Sequence, residues 1–503
     1  MKYFLFFLFL CMLSIFYLVE PADPRGNFVS MKKDTFKEDD FVSIGAHSFR
    51  LKGKDFYPVC VNYMAALQTD GKKLWIRPAP DYTTDSSKEN MTPESCIKEL
   101  RADFLLIRQM GFNSVRIVGA SEVGIVDDSS RTSPLSLSPY VGNGTYIKTP
   151  LSDQATYAEY FNALACLLKE AANAGLKVIF VERTRPQVFT TENFLDQVTR
   201  YFRNDATLMA YDLFNEPLYF DGPARDKTEV QEVSRRWKKL CKRNAPHQLV
   251  TYGLEGIREV LSWDPVVVDA DFVSFHPYEH EPDQVRNELT WYSRYVKKPW
   301  MIGETAIPAD NDSVPYEAQK TFAAKTLTQA FNCGSWGYSW WQYKDVRWRK
   351  YHSSYMGVVN RKGETMLQKE NLVVPGSIKP VAEEFQKFNP ASPKGACICL
   401  SNYYNYSQHH SFKLKGKLID SENKPVEGGV VLGWNESWLT SYHTITKEDG
   451  TFELLSDFPF GHWAASANGY SMRRGDFPPG AAKISSDGMP TLNLDTLKIM
   501  KLN

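Results

Sequence analysis

The chain carries no surplus of either charge, since its 59 basic side chains match 59 acidic ones. A protein whose main task is wrapping nucleic acid or holding an anionic membrane carries a basic excess, so neither partner is expected. Cysteine is scarce, with 8 in 503 residues. Cys11 lies in an apolar leader, and the remaining Cys60, Cys96, Cys166, Cys241, Cys333, Cys397 and Cys399 are odd in number and widely scattered. That scatter implies no disulfide framework, which a domain of this size does not need. Most of these thiols read as small buried hydrophobes. Metal-ligand spacing is missing too: Cys397-Ile398-Cys399 stands alone and His409-His410 has no companions, so no metal or cofactor is expected. There is no internal repeat, and beyond the N-terminus no apolar run is long enough to span a membrane.

Aromatic residues, in contrast, are abundant at 14%, with 12 Trp, 26 Tyr and 30 Phe. Most belong in a core, but exposed rings also stack on the C–H faces of sugars. Residues 3–19 form an apolar run after Lys2, with Pro21 and Pro24 marking its end. Residues 1–22 therefore read as a signal peptide, which implies a secreted, periplasmic or cell-surface protein; uncleaved, the segment would be a membrane anchor.

From residue 41 to 388 short apolar runs alternate with segments of helical period. Candidate strands are 56–63, 114–118, 177–181, 208–214, 249–253, 272–276, 300–303 and 336–341, separated by helices such as 93–110, 153–174, 227–243, 282–296 and 315–333. Eight strands with crossover helices predict an α/β fold, a (β/α)8 TIM barrel spanning 23–390. Two long polar insertions, 68–91 and 119–152, follow the first two strands and rise over the face where active sites form. Residues 391–410, with Pro393, Gly395 and a Tyr/Asn run, read as a linker. From 411 to 503 short period-two strands and the turns Asp449-Gly450 and Asn468-Gly469 predict a small antiparallel β-sandwich.

Two motifs carry chemistry. Tyr211-Asp212-Leu213-Phe214-Asn215-Glu216-Pro217 ends the fourth strand in a carboxyl, and Trp300-Met301-Ile302-Gly303-Glu304 ends the seventh in another. Both tips lie on the functional face of a barrel. A facing carboxyl pair suits cleavage of a glycosidic bond, with one acid to protonate the leaving oxygen and one carboxylate to attack the anomeric carbon.

With Gly111-Phe112-Asn113-Ser114-Val115-Arg116, Asn215-Glu216-Pro217, His276-Pro277-Tyr278, Gly303-Glu304 and Trp340-Trp341-Gln342 in this order, residues 41–388 resemble glycoside hydrolase family 5 of clan A, the cellulases and endo-β-mannanases. The resemblance implies that Glu216 is the acid/base and Glu304 the nucleophile. It implies that Arg116 and Tyr278 hold Glu304 charged, that Asn215 meets the sugar 2-hydroxyl, that His276 lines the site beside Glu216, and that Trp341 stacks under the sugar. Trp340 then belongs to the core, because adjacent strand residues face opposite sides. A retaining mechanism with carboxyls about 5–5.5 Å apart follows. The substrate would be a β-linked polysaccharide, such as mannan, a related hemicellulose or a β-glucan, cut by an endo-acting monomer.

Trp75, Tyr140 and Trp348 stand either as further sugar contacts or as packed loop residues. Strand three lacks the histidine that family 5 members often place there. Its Glu182, Arg183 and Arg185 either read a polar sugar substituent or pair with one another. The C-terminal region resembles carboxypeptidase-regulatory-like modules in Gly416-Lys417-Leu418-Ile419-Asp420, Lys424-Pro425-Val426 and Glu448-Asp449-Gly450-Thr451-Phe452; Trp434 and Trp438 there are glycan contacts or scaffold. The competing readings are a non-catalytic glycan-binding barrel and a transglycosylase on the same site.

Overall fold

In the computed structural model, described for residues 36–79, 91–120, 123–124, 135–142, 145–151, 153–182, 184, 186, 190–221, 225–279, 282–346, 354–404, 411–437, 441–478 and 480–502, eight parallel strands close into a barrel. They are β1 (Val59–Thr69), β2 (Ser114–Val118), β3 (Lys177–Val181), β4 (Leu208–Asn215), β5 (Leu249–Leu254), β6 (Val273–Phe275), β7 (Trp300–Ile302) and β8 (Tyr338–Trp340). Each pairs with the next, and β8 closes on β1 with Tyr338 opposite Val59 and Trp340 opposite Val61. The strands are buried on both faces, which explains their almost unbroken apolar sequence. In β2, Val115 and Ile117 join the core under the helices, while Arg116 between them reaches across the barrel interior.

The surrounding helices include α1 (Pro93–Gln109), α2 (Gln154–Asn173), α3 (Thr191–Phe202), α4 (Lys227–Asn244), α5 (Pro282–Tyr295) and α6 (Tyr316–Asn332). Three start on side-chain caps, Thr92, Asp153 and Asp226, each accepting from a backbone N–H in the first turn. Two short elements matter for the site. A single helical turn, Pro217–Phe220, follows β4, and a 3-10 turn, Ile257–Leu261, follows β5. Among the described residues no helix is long and apolar enough to cross a membrane. Residues 1–22, read as a signal, lie outside the described residues, as do Trp348, Arg183, Arg185, Trp438 and His409-His410.

The first insertion begins as a hairpin, Leu74–Pro78 folding back on the extended end of β1. Buried Arg77 donates to Gln68 at 2.8 Å and lies 5.0 Å over the Tyr140 ring. Tyr140 is only 1% exposed, so it is a packing residue rather than a sugar contact; Trp75 is half-buried on the same hairpin.

Two of the cysteines expected to be unpaired are joined. Cys333, at the end of α6, is bonded to Cys397 across 64 residues. A loop of that length contributes about 4 kcal/mol on the chain-entropy model. Sequence distance hid the pair, because α6 and the segment after residue 390 meet only in the fold. That segment is also tied down by Gln329 and Thr290 donating to the Ile398 carbonyl, and by Asn287 donating to Asn402.

The C-terminal sandwich has two four-stranded sheets. One orders β12 (Thr451–Ser456), β9 (Phe412–Ile419), β16 (Pro490–Lys498) and β15 (Lys483–Ile484). The other orders β11 (Tyr442–Ile445), β10 (Val430–Trp434), β13 (His462–Ser466) and β14 (Arg473–Asp476). It is not wholly antiparallel as expected. Its first and last strands, β9 and β16, run parallel, which is possible because no hairpin joins them.

This sandwich is seated on the barrel. Buried Lys227 of α4 donates to Asp264 and to Ser466, each at 2.8 Å, and Trp291 of α5 donates to the Gly428 carbonyl at 2.9 Å. Leu261 packs with Leu432 and Ala464. His443 is buried at the same seam, where burial and then the Arg258 charge hold its pKa down at about 3. A histidine depressed from 6.5 is fully stabilising above pH 6.5, and that contribution is lost as pH falls toward the folded value. His443→Gln should therefore lose less stability than the parent between pH 7 and pH 4, by roughly 3 kcal/mol in urea melts at the two pH values.

Candidate active site

The turn after β4 explains where Glu216 points. Pro217 has no N–H to continue the ladder, and Glu216 itself takes a left-handed backbone, φ +46° and ψ 65°. Its N–H donates to the Gly253 carbonyl at 2.6 Å, and its own carbonyl accepts from Tyr219 and Phe220. A non-glycine residue in this region costs about 1–3 kcal/mol and persists only where the surroundings fix it.

Glu304 follows Gly303 at the tip of β7, and the glycine is required there. A Cβ on Gly303 would lie 2.0 Å from Ser274 Oγ and 2.7 Å from His276 Nε2. The missing side chain lets the His276 ring lie against β7 with its Nδ1 3.0 Å from Glu216 Oε1. Gly303→Ala should displace that ring, costing about 1–3 kcal/mol of stability and roughly tenfold or more in turnover. Thermal melts and kcat on one substrate test both effects.

Arg116 organises the floor of the site. It donates to Asp212 at 2.9 Å through Nε, to Asn62 at 2.9 Å and to Glu304 through Nη1, and to Asn215 at 2.7 Å through Nη2. Burial works against its charge, but the carboxylates of Asp212 and Glu304 outweigh that and raise its pKa. Tyr278 donates to the other oxygen of Glu304 at 3.1 Å. Burial, and next the Glu304 charge, keep the phenol protonated. Burial also pushes the Glu304 carboxyl above the usual carboxylate range, with the Arg116 guanidinium pulling against it. His276 is fully buried, and burial lowers it to about 4, leaving a neutral ring beside Glu216.

One carboxylate oxygen of Glu216, one of Glu304 and a His276 nitrogen all lie within 4.8 Å of one another. Such a trio has the donor types of a metal site. The Arg116 charge on Glu304 opposes a cation there, and the geometry suits an acid and a nucleophile instead. Glu216 is the more accessible of the two, with a side chain 17% exposed against 6% for Glu304. The Trp341 ring is half-buried against Met64, Val118 and Val181, which come from β1, β2 and β3. Trp340 faces the other way, fully buried, and donates to the Met356 carbonyl at 2.8 Å.

The fold thus brings Arg116, Asn215, Glu216, His276, Tyr278, Glu304 and Trp341 to one end of the barrel. Sequence reasoning missed Asn62 and Asp212. Glu182 is fully buried, behind Val181, which packs against Trp341. In the sandwich, half-buried Trp434 stacks on His462 with ring centroids 5.5 Å apart.

No protein-family model matches the chain, and no curated relative does. Among solved structures, the chain is similar to a GH5_18 variant from Streptomyces cattleya in complex with Manβ1-4GlcNAc, at 15% identity over 64% of this chain and 80% of that one, TM-score 0.43. It is similar to an endo-1,4-β-mannanase from Rhizomucor miehei at 15% identity, covering 60% of this chain and 90% of that one, TM-score 0.40. A GH2 β-galacturonidase from Eisenbergiella tayi bound to galacturonate is similar at 14% identity, over 69% of this chain and 54% of that one, TM-score 0.42.

Proposed function

We propose that the protein is an exported retaining β-glycosidase that hydrolyses a β-linked polysaccharide by double displacement. The reading is carried by one observation: two carboxyls within 4.8 Å, Glu304 gripped by Arg116 and Tyr278 and Glu216 set beside the His276 ring. In the first step Glu304 attacks the anomeric carbon while Glu216 protonates the departing glycosidic oxygen, giving a glycosyl ester on Glu304. In the second, Glu216 takes a proton from water, whose oxygen displaces Glu304 and restores the β configuration. Asn215 spends its side-chain oxygen on Arg116, which leaves the amide to donate to the 2-hydroxyl. Trp341 offers a face on which the sugar stacks. These roles need neither metal nor cofactor.

Mannan, a related hemicellulose or β-glucan is the proposed substrate class, endo action the proposed mode, and residues 23–390 the proposed catalytic domain. A panel of these glycans, read by product chain length and by the anomeric proton of the first product, tests the reading. Retention with mixed oligosaccharides is the expected result. An inverted first product, or binding without turnover on every β-glycan, would overturn it; longer products than the substrate would identify a transglycosylase.

A further inference from the structure

We infer that the C-terminal sandwich is part of the catalytic unit, bracing through the Ile257–Leu261 turn and its Arg258 the turn that presents Glu216; this rests on the acid/base role proposed for Glu216. The brace can be followed bond by bond. Because Pro217 ends the β4 ladder, the backbone after Glu216 is held from β5 instead. Leu218 N–H donates to Glu259 Oε1 at 2.9 Å, and the same oxygen accepts from Glu255 N–H at 3.3 Å. Tyr219 Oη donates to Glu255 Oε1 at 2.9 Å and accepts from Arg258 Nη2 at 2.8 Å. Arg258 Nε also donates to Glu255 Oε2 at 3.0 Å. Glu255, Arg258 and Glu259 all sit on or beside the 3-10 turn Ile257–Leu261.

The sandwich holds that turn from its far side. Arg258 Nη1 reaches Ser441 Oγ at 3.4 Å, a long bond, and the firmer contact is Leu261 packed on Leu432 and Ala464. Arg258, with a side chain 11% exposed, is thus enclosed between the acid/base turn and the sandwich. A left-handed Glu216 backbone needs such over-determination, and a general acid needs its carboxyl within hydrogen-bond reach of the leaving oxygen. Arg258 is therefore a positioning residue, acting on the reaction through Tyr219 and Glu255.

A positioning defect at the acid has a signature that general destabilisation lacks. A phenyl β-glycoside needs a proton on its leaving oxygen, whereas a 2,4-dinitrophenyl β-glycoside departs without one. Arg258→Met is expected to lower kcat/KM ten- to about a hundredfold on the phenyl glycoside and less than about threefold on the dinitrophenyl one. Arg258→Lys, which keeps the charge but not the planar fork, recovers part of the loss. Leu432→Ala, on the sandwich side, gives the same selective pattern at about threefold or more. Tyr295→Phe removes an exposed interface bond to Glu427, which does not involve this turn, and leaves both rates unchanged. Equal losses on both glycosides, or no loss in Leu432→Ala, would overturn the inference. Where Arg258→Met does not fold, Arg258→Lys and Leu432→Ala decide. A parent protein that turns over neither these glycosides nor any β-glycan of the panel would instead refute the proposed function.

Discussion

Glu304→Ala is expected to abolish turnover, lowering kcat/KM by about 10⁴- to 10⁶-fold, without unfolding the protein. No neighbouring group replaces the carboxylate that is lost. In the proposed reaction Glu216 serves the leaving group, and Asp212 is held by Arg116. Charge keeps the variant folded. Arg116 keeps Asp212 as a partner at 2.8 Å when Glu304 is removed, so no guanidinium is left buried and uncompensated. Glu304, in turn, is a carboxyl whose pKa burial raises, so its ionised form is held at a cost to stability. The variant should therefore melt at the parent temperature or above it, an exchange of stability for function of the usual kind. Added azide can enter the space left by the carboxylate and attack from the same side, so the rescued product should be the α-glycosyl azide. Undiminished turnover, or a variant that loses activity only by unfolding, would remove Glu304 from the mechanism.

The eight barrel strands were legible because burial on both faces writes long Val, Ile and Phe runs into the sequence, as in Val178-Ile179-Phe180-Val181. The two glutamates were legible because a carboxyl at the end of such a run is costly without a task. Asp212 was not. Strict alternation puts residues 212 and 215 on opposite faces of β4, yet both reach Arg116. The register of β4 against β5 shifts between Asp212 and Asn215, and that irregularity turns the second residue inward. Asn62 was hidden for another reason. Its side chain spans from β1 to the Gly303 and Trp340 carbonyls, contacts that exist only once the barrel closes. The same holds for Cys333 with Cys397, and for the parallel pairing of β9 with β16. Local pattern reports faces and turns; it does not report which distant segments meet.

Glu216→Ala should show a loss that depends on what is leaving. For a phenyl or sugar aglycone kcat/KM is expected to fall about 10²- to 10⁴-fold, the usual worth of a positioned general acid. For a 2,4-dinitrophenyl aglycone the first step should run near the parent rate, because that oxygen leaves unprotonated. The second step still lacks its base, so the glycosyl ester on Glu304 should accumulate and appear as a burst of released phenol followed by slow turnover. Azide needs no base and should speed the second step, giving the β-glycosyl azide, opposite in configuration to the product rescued from Glu304→Ala. The pH profile should change at its basic end. Glu304 ionises while the acid still holds its proton, so the acid limb of kcat/KM on the dinitrophenyl glycoside should stay where it is in the parent. The basic limb on the phenyl glycoside, set in the parent by the acid giving up its proton, should disappear. A basic limb that survives Glu216→Ala would mean that another group sets it.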